Sequence, residues 1–287
     1  MAPNVGKVTC LLAEMQTRIN AAGLRSFDGD VDRFAIFSLI VRESLRRNPR
    51  GKAISTHSLA ISLSRSFETV RRHVLALIAA GLCVRSSSGV VVRAEVMERP
   101  DIAALMRLAH DSFVCFAEGL VEVGGWQAVR APATPYTSQV GIAAAVDIML
   151  AATDSNRAIH RDWLDLVLFS TVLYANLQRS RAAGAAESFG PDHAVRPAAL
   201  AQAMHLPETT VRRRLTFLAG DTGSLTRVAQ GYMVSHAWMA QPSAIDTSAR
   251  TYATIRLIMT QAVANGFPIA QPGDAYLDGR PSAVALV

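Results

Sequence analysis

The chain is poor in lysine and cysteine, and each shortage narrows what it can be. Lys7 and Lys52 are its only lysines, so arginine carries nearly all of the positive charge. The planar arginine fork binds phosphates and base edges at two points, which an ammonium cannot do. The three cysteines, Cys10, Cys83 and Cys115, lie far apart in apolar surroundings and form no C-x-x-C. Such a set argues for a reducing cytosol and against a disulfide or zinc framework, with each thiol expected as a small buried hydrophobe. The seven histidines (His57, His73, His110, His160, His193, His205, His236) show no ligand spacing, so no metal is expected. Phosphate loops, dinucleotide fingerprints, nucleophile elbows and paired carboxylates are also missing. No catalytic residue and no cofactor is therefore expected, and the chain reads as a non-enzyme. The most apolar runs, 142–152 and 163–175, are short and are broken by Asp147 and Asp165, so neither is expected to span a membrane. The first seven residues lack a signal-peptide layout, and the expected location is the cytoplasm, at the nucleoid.

What is present suits a folded, anion-binding protein. Half of the 287 residues are hydrophobic and 18% are charged, enough apolar material for a sizeable core and two domains. The net charge of +6 favours an anionic partner. Between Arg42 and Arg93 ten basic residues face only two acids, Glu43 and Glu68. Between Arg179 and Arg227 the balance is seven to four.

One stretch occurs twice. Leu59-Ala60 and Thr69-Val70-Arg71-Arg72 reappear as Leu200-Ala201 and Thr210-Val211-Arg212-Arg213, at a constant offset of 141 and without a gap. The surroundings repeat as well. An amphipathic helix (32–47, then 160–181) precedes each stretch, and two β-branched runs around a Gly turn follow it. A long apolar helix closes each half, at 101–123 and 247–265. Residues 125–138, rich in Gly, Pro and Ala, read as a linker between modules 1–124 and 139–267, and 268–287 as a flexible tail. Asp28, Asp30 and Asp32 imitate a calcium loop, but Arg33 takes the glycine position and no closing glutamate follows, so an N-cap with acids in the first turn is the better reading.

Within each repeat the residues divide by face. Val70, Val74, Leu77 and Ile78 form an inward stripe, as do Val211, Leu215 and Leu218. Glu68, Arg71 and Arg72, and Glu208, Thr209, Arg212 and Arg213, then point outward, where arginine can bond guanine O6 and N7 together. Thr69 and Thr210 suit phosphate contacts, and Arg65, Ser66, His73 and Arg214 flank the same surface. Arg85, Arg93 and Arg227 on the hairpins are placed for phosphates or the minor groove.

Residues 59–82 resemble the helix-turn-helix of bacterial winged-helix transcription regulators, and 200–223 resemble it more closely through Leu206-Pro207-Glu208-Thr209-Thr210-Val211. The likeness covers about 40 residues in each half. It departs at the turn, where the usual glycine is Ser64 or His205 and the next apolar residue is Arg65 in the first copy. The first turn is therefore expected to differ in geometry, with Phe67 filling the gap. The resemblance implies a mainly α fold with small β-hairpin wings: tandem duplicated winged helix-turn-helix domains (helix pairs 56–80 and 197–219, wings 82–93 and 225–235) with flanking packing helices. It implies a sequence-specific transcription regulator whose partner is double-stranded DNA, and a homodimer through helices 101–123 and 247–265 is a further expectation. A replication initiator with paired winged helices, or a protein-interaction module, are the alternatives.

Overall fold

The computed structural model describes residues 5–45, 53–124, 126, 134–160, 162–184 and 189–286. The described residues are mainly helical, with two small antiparallel hairpins. Most of the expected linker, 125–138, lies outside them.

The first half runs α1 (Val5–Ser26), α2 (Val31–Leu45), α3 (Thr56–Leu63), α4 (Phe67–Ala79), the hairpin β1 (Val84–Ser86) and β2 (Gly89–Val91), α5 (Ala94–Met97) and α6 (Pro100–Glu122). The second half repeats that order: α7 (Ser138–Asn156), α8 (Trp163–Ala182), α9 (Pro197–Ala203), α10 (Glu208–Gly220), β3 (Leu225–Val228), β4 (Gly231–Val234), α11 (His236–Met239) and α12 (Pro242–Ala264). Aspartate opens both second helices. Asp30 Oδ1 accepts from the Arg33 N–H at 2.9 Å, and Asp162 Oδ1 from the Leu164 N–H at 3.1 Å, each satisfying a donor with no intrahelical partner. Proline opens α6 and α12, where its missing N–H costs nothing.

Each hairpin gains a third strand from the segment before its helix pair. Ile54 bridges Val90, and Val195 bridges Tyr232, both antiparallel. Glycine makes the approach possible. A Cβ on Gly89 (φ 143°) would lie 2.3 Å from the Ile54 carbonyl oxygen, and one on Gly231 (φ 145°) would lie 2.2 Å from that of Val195.

The two halves share their cores. Val8, Leu12, Met15 and Ile19 of α1 join α2, α3, α4 and α6 in one core, together with Ile142, Ala145 and Ile148 of α7 and Ile255 and Met259 of α12. Ala13, Ala21 and Leu24 lie on another side of α1 and enter the second core with α8, α9, α10 and β4. The expected first module thus gives its opening helix to both.

Of residues 268–287, expected as a flexible tail, the described part, 268–286, is laid across the body as a strap. Asp111 of α6 accepts from the backbone N–H groups of Leu277 and Asp278, both at 2.9 Å. The Tyr174 hydroxyl accepts from the Val284 N–H at 2.8 Å, and Arg18 donates to the Ser282 carbonyl at 3.3 Å. Such anchors carry no hydrophobic period, which is why the segment reads as loose.

Candidate nucleic-acid interface

The turn between the paired helices has the same form in both halves. Ser64 (φ 48°) and His205 (φ 51°) occupy the left-handed region at equivalent positions. The following N–H groups, of Arg65 and Leu206, reach the carbonyls of Ala60 and Ala201 at 3.0 Å. The expectation of a different first turn therefore fails, because these backbone bonds impose the conformation whichever side chain occupies it. Phe67 does not fill a gap either; it is 51% exposed at the start of α4. Ser66 caps α4, its Oγ accepting from the Thr69 N–H at 3.1 Å and lying 2.8 Å from the Thr69 hydroxyl. That Oγ is thus engaged, though still exposed.

Val70, Val74 and Leu77, and Val211, Leu215 and Leu218, are fully buried, as the periodicity requires. The opposite faces carry the arginines. Arg71 is exposed and pairs with Glu68 at 2.7 Å, and exposed Arg212 pairs with Glu208 at 2.5 Å. Surface pairs of this kind are weak and readily exchanged for another anion. Arg72 and Arg213, at equivalent positions, are exposed with no ion pair to a described residue. Thr209 is exposed and Thr210 half-buried, as is Thr69. Arg85, Arg93 and Arg227 are exposed on or beside the hairpins.

Three residues expected on this surface are engaged inside the protein instead. Arg65 donates to Asp32 at 2.7 Å and to Asp162 at 3.3 Å. Arg214 donates to the other oxygen of Asp162 at 2.5 Å and lies 3.4 Å from Asp165. Buried His73 stands where Arg214 does in the repeat, 3.4 Å from Asp30, the counterpart of Asp162. These side chains tie the turn before α4, α4 itself and α10 to helix starts, where Asp30 and Asp162 each already accept from a backbone N–H.

The charges at this junction hold one another. Burial opposes the Arg65 charge, but Asp32 and Asp162 outweigh it and raise its pKa. Burial likewise pushes Asp162 upward, yet the Leu164 N–H, Arg214 and Arg65 bring it below the ordinary aspartate value. Asp165 moves the other way, raised by burial with Asp162 adding to the rise against Arg214. Asp162 therefore links the turn before α4 to the middle of α10. A second pair of contacts crosses between halves at the turns themselves. Arg25, at the end of α1, donates to His205 at 2.9 Å, and Arg157, after α7, donates to the Ser64 hydroxyl.

The sequence gives no view of these cross-half contacts. Asp30 and Asp162 are recognisable as caps before apolar helices, but their arginine and histidine partners lie in other elements. Phe67 was visible as an apolar residue at a helix start; its exposure depends on the turn. The resulting surface combines arginine forks, hydroxyls and the exposed Phe67 ring on two helices held in fixed relation, a chemistry suited to a polyanion with planar groups. Among the described residues no group of His, Cys, Asp and Glu could hold a metal ion, and no helix is long and apolar enough to cross a membrane. No protein-family model, no curated protein and no solved structure matches this chain.

Proposed function

We propose that this chain is a sequence-specific double-stranded DNA-binding transcription regulator built from two tandem winged helix-turn-helix units. The observation that carries the reading is the recurrence, at equivalent positions on α4 and α10, of the exposed pairs Arg71–Arg72 and Arg212–Arg213 after turns of the same left-handed form. In this reading α4 and α10 are recognition helices in the major groove, and Arg85, Arg93 and Arg227 on the wings neutralise phosphates or enter the minor groove. Arg65, His73 and Arg214 drop out of the interface and become its internal braces. Phe67 joins it, since an exposed ring at a recognition-helix start can meet a thymine methyl group.

The test is selection of bound sequences from a random DNA pool, followed by binding measurements on the selected site. Arg71→Ala and Arg212→Ala are expected to relax base preference at one subsite each, by about 1–3 kcal/mol of discrimination. Arg85→Ala is expected to weaken selected and random DNA alike, and affinity should fall steeply with salt. Equal losses on selected and random DNA for all three variants would overturn base reading. Absence of any salt-dependent DNA binding would overturn the proposal as a whole.

A further inference from the structure

Between α1, α8, α11 and α12 lies a cleft of about 470 Å³, within the size range of small-molecule sites. Its walls are mainly apolar. Leu12 comes from α1, Phe169 and Leu173 from α8, Trp238 from α11 and Ile255 from α12. The Phe169 and Trp238 rings meet at 5.1 Å and 60° and form an aromatic wall. No aspartate or glutamate lines the cleft among the described residues, so nothing there offsets a positive charge on a ligand. Lys7, its one lysine, is exposed and lies nine residues along α1 from Gln16, about 14 Å away.

One buried polar group on this wall is left unpaired. Gln16 is 4% exposed. The buried Ser170 hydroxyl donates to Gln16 Oε1 at 2.8 Å and to no other acceptor among the described residues. An amide nitrogen cannot accept that proton, so the bond fixes which end of the amide faces Ser170. Gln16 Nε2 is then without a partner among the described residues, on a side chain that lines the cleft. Thr251 and Asn156 line the cleft too, but they donate to the carbonyls of Thr247 and Ala152, at 2.9 and 2.8 Å. A buried amide N–H without an acceptor is unfavourable, and a ligand oxygen would relieve it. A carboxylate is the wrong oxygen at this depth, because the free donor is a neutral amide. We propose that the cleft binds an uncharged aromatic molecule with one carbonyl group. Its rings lie against Phe169 and Trp238, and its oxygen accepts from Gln16 Nε2. This site does not depend on whether the chain binds DNA.

Fluorescence titration of the full chain tests this with two probes. One is propionyl-dimethylaminonaphthalene; the other, dimethylaminonaphthalene, keeps the rings and lacks the carbonyl. The first is expected to bind saturably at micromolar concentration, with emission to the blue of that in water. Ser248→Trp, at a half-buried position on the α12 side of the cleft, should fill it and abolish binding of both probes, with an unchanged circular dichroism spectrum. Gln16→Met combined with Ser170→Ala removes the donor without stranding the hydroxyl. This double variant should weaken the carbonyl probe about tenfold and leave the other unchanged. A wild type that binds neither probe saturably, or binding that survives Ser248→Trp, would overturn the site. Equal effects of the double variant on both probes would overturn the carbonyl contact with Gln16.

Discussion

His160 shows how much one buried side chain can couple to pH. It precedes α8 with 5% of its surface exposed, its ring centred 4.9 Å from Phe169 and 6.0 Å from Trp238. Neither ring nitrogen has a hydrogen-bond partner among the described residues, and burial pushes its pKa down to about 4. In the unfolded chain the same imidazole titrates near about 6.5. Between those values the unfolded state binds a proton that the folded state refuses, so stability falls as pH drops from about 6.5 to about 4, by up to about 3 kcal/mol. His160→Phe, which keeps an aromatic ring among aromatic neighbours, is expected to remove most of that loss. Urea denaturation of wild type and variant at pH 7 and pH 4.5 measures it; an equally steep acid loss in the variant would assign the effect elsewhere. Asp162 adds to acid sensitivity with its own sign. Its folded pKa is depressed, so the stability it contributes is present above the unfolded value and is lost as pH falls through the folded one.

Elements depend on close backbone approaches as much as on side chains. Each hairpin is extended by one bridge residue, Ile54 or Val195, which sets the hairpin against its helix pair. Gly231 and Gly89 are the residues that let this third strand in, and their positive φ adds a conformational requirement to the spatial one. Gly231→Ala should cost about 2–3 kcal/mol, since the clash is with backbone oxygen that cannot rotate away and the φ is one an L-residue resists. Gly89→Ala should behave alike. Thermal denaturation followed by circular dichroism reads both, and a change below about 0.5 kcal/mol in either would show that the third strand is dispensable there.

For the whole molecule, α1 is the central member. Its buried residues serve both cores, its end braces the second turn through Arg25, and α7 returns the favour to the first half through Ile142, Ile148 and Arg157. Halves joined in this way should not melt separately. Calorimetry of the full chain is expected to show one transition with matching calorimetric and van't Hoff enthalpies. Removing residues 1–26 should abolish cooperative unfolding of both halves. Two resolved transitions, or a truncated chain that still melts cooperatively, would show that the halves are independent.

The amino-acid order by itself determined the local architecture: amphipathic periods set the helices, prolines and aspartates their starts, β-branched runs around glycine the hairpins, and the gap-free repeat their duplicated order. It also marked Arg71, Arg72, Arg212 and Arg213 as outward, because the inward stripe of Val70 and Val74, or Val211 and Leu215, leaves them no other face. Those are short-range facts, carried by residues three or four apart. Tertiary structure alone decided which of the nitrogen-bearing side chains were engaged. Arg65, Arg214 and His73 read like their neighbours along the chain, yet carboxylates on other helices claim them. It likewise turned an aperiodic tail into a strap through isolated hydrogen bonds, and it shared α1 between two cores. Contacts between residues a hundred positions apart leave no period in a sequence, so a carboxylate such as Asp162 reveals two partners only after the chain has folded around it.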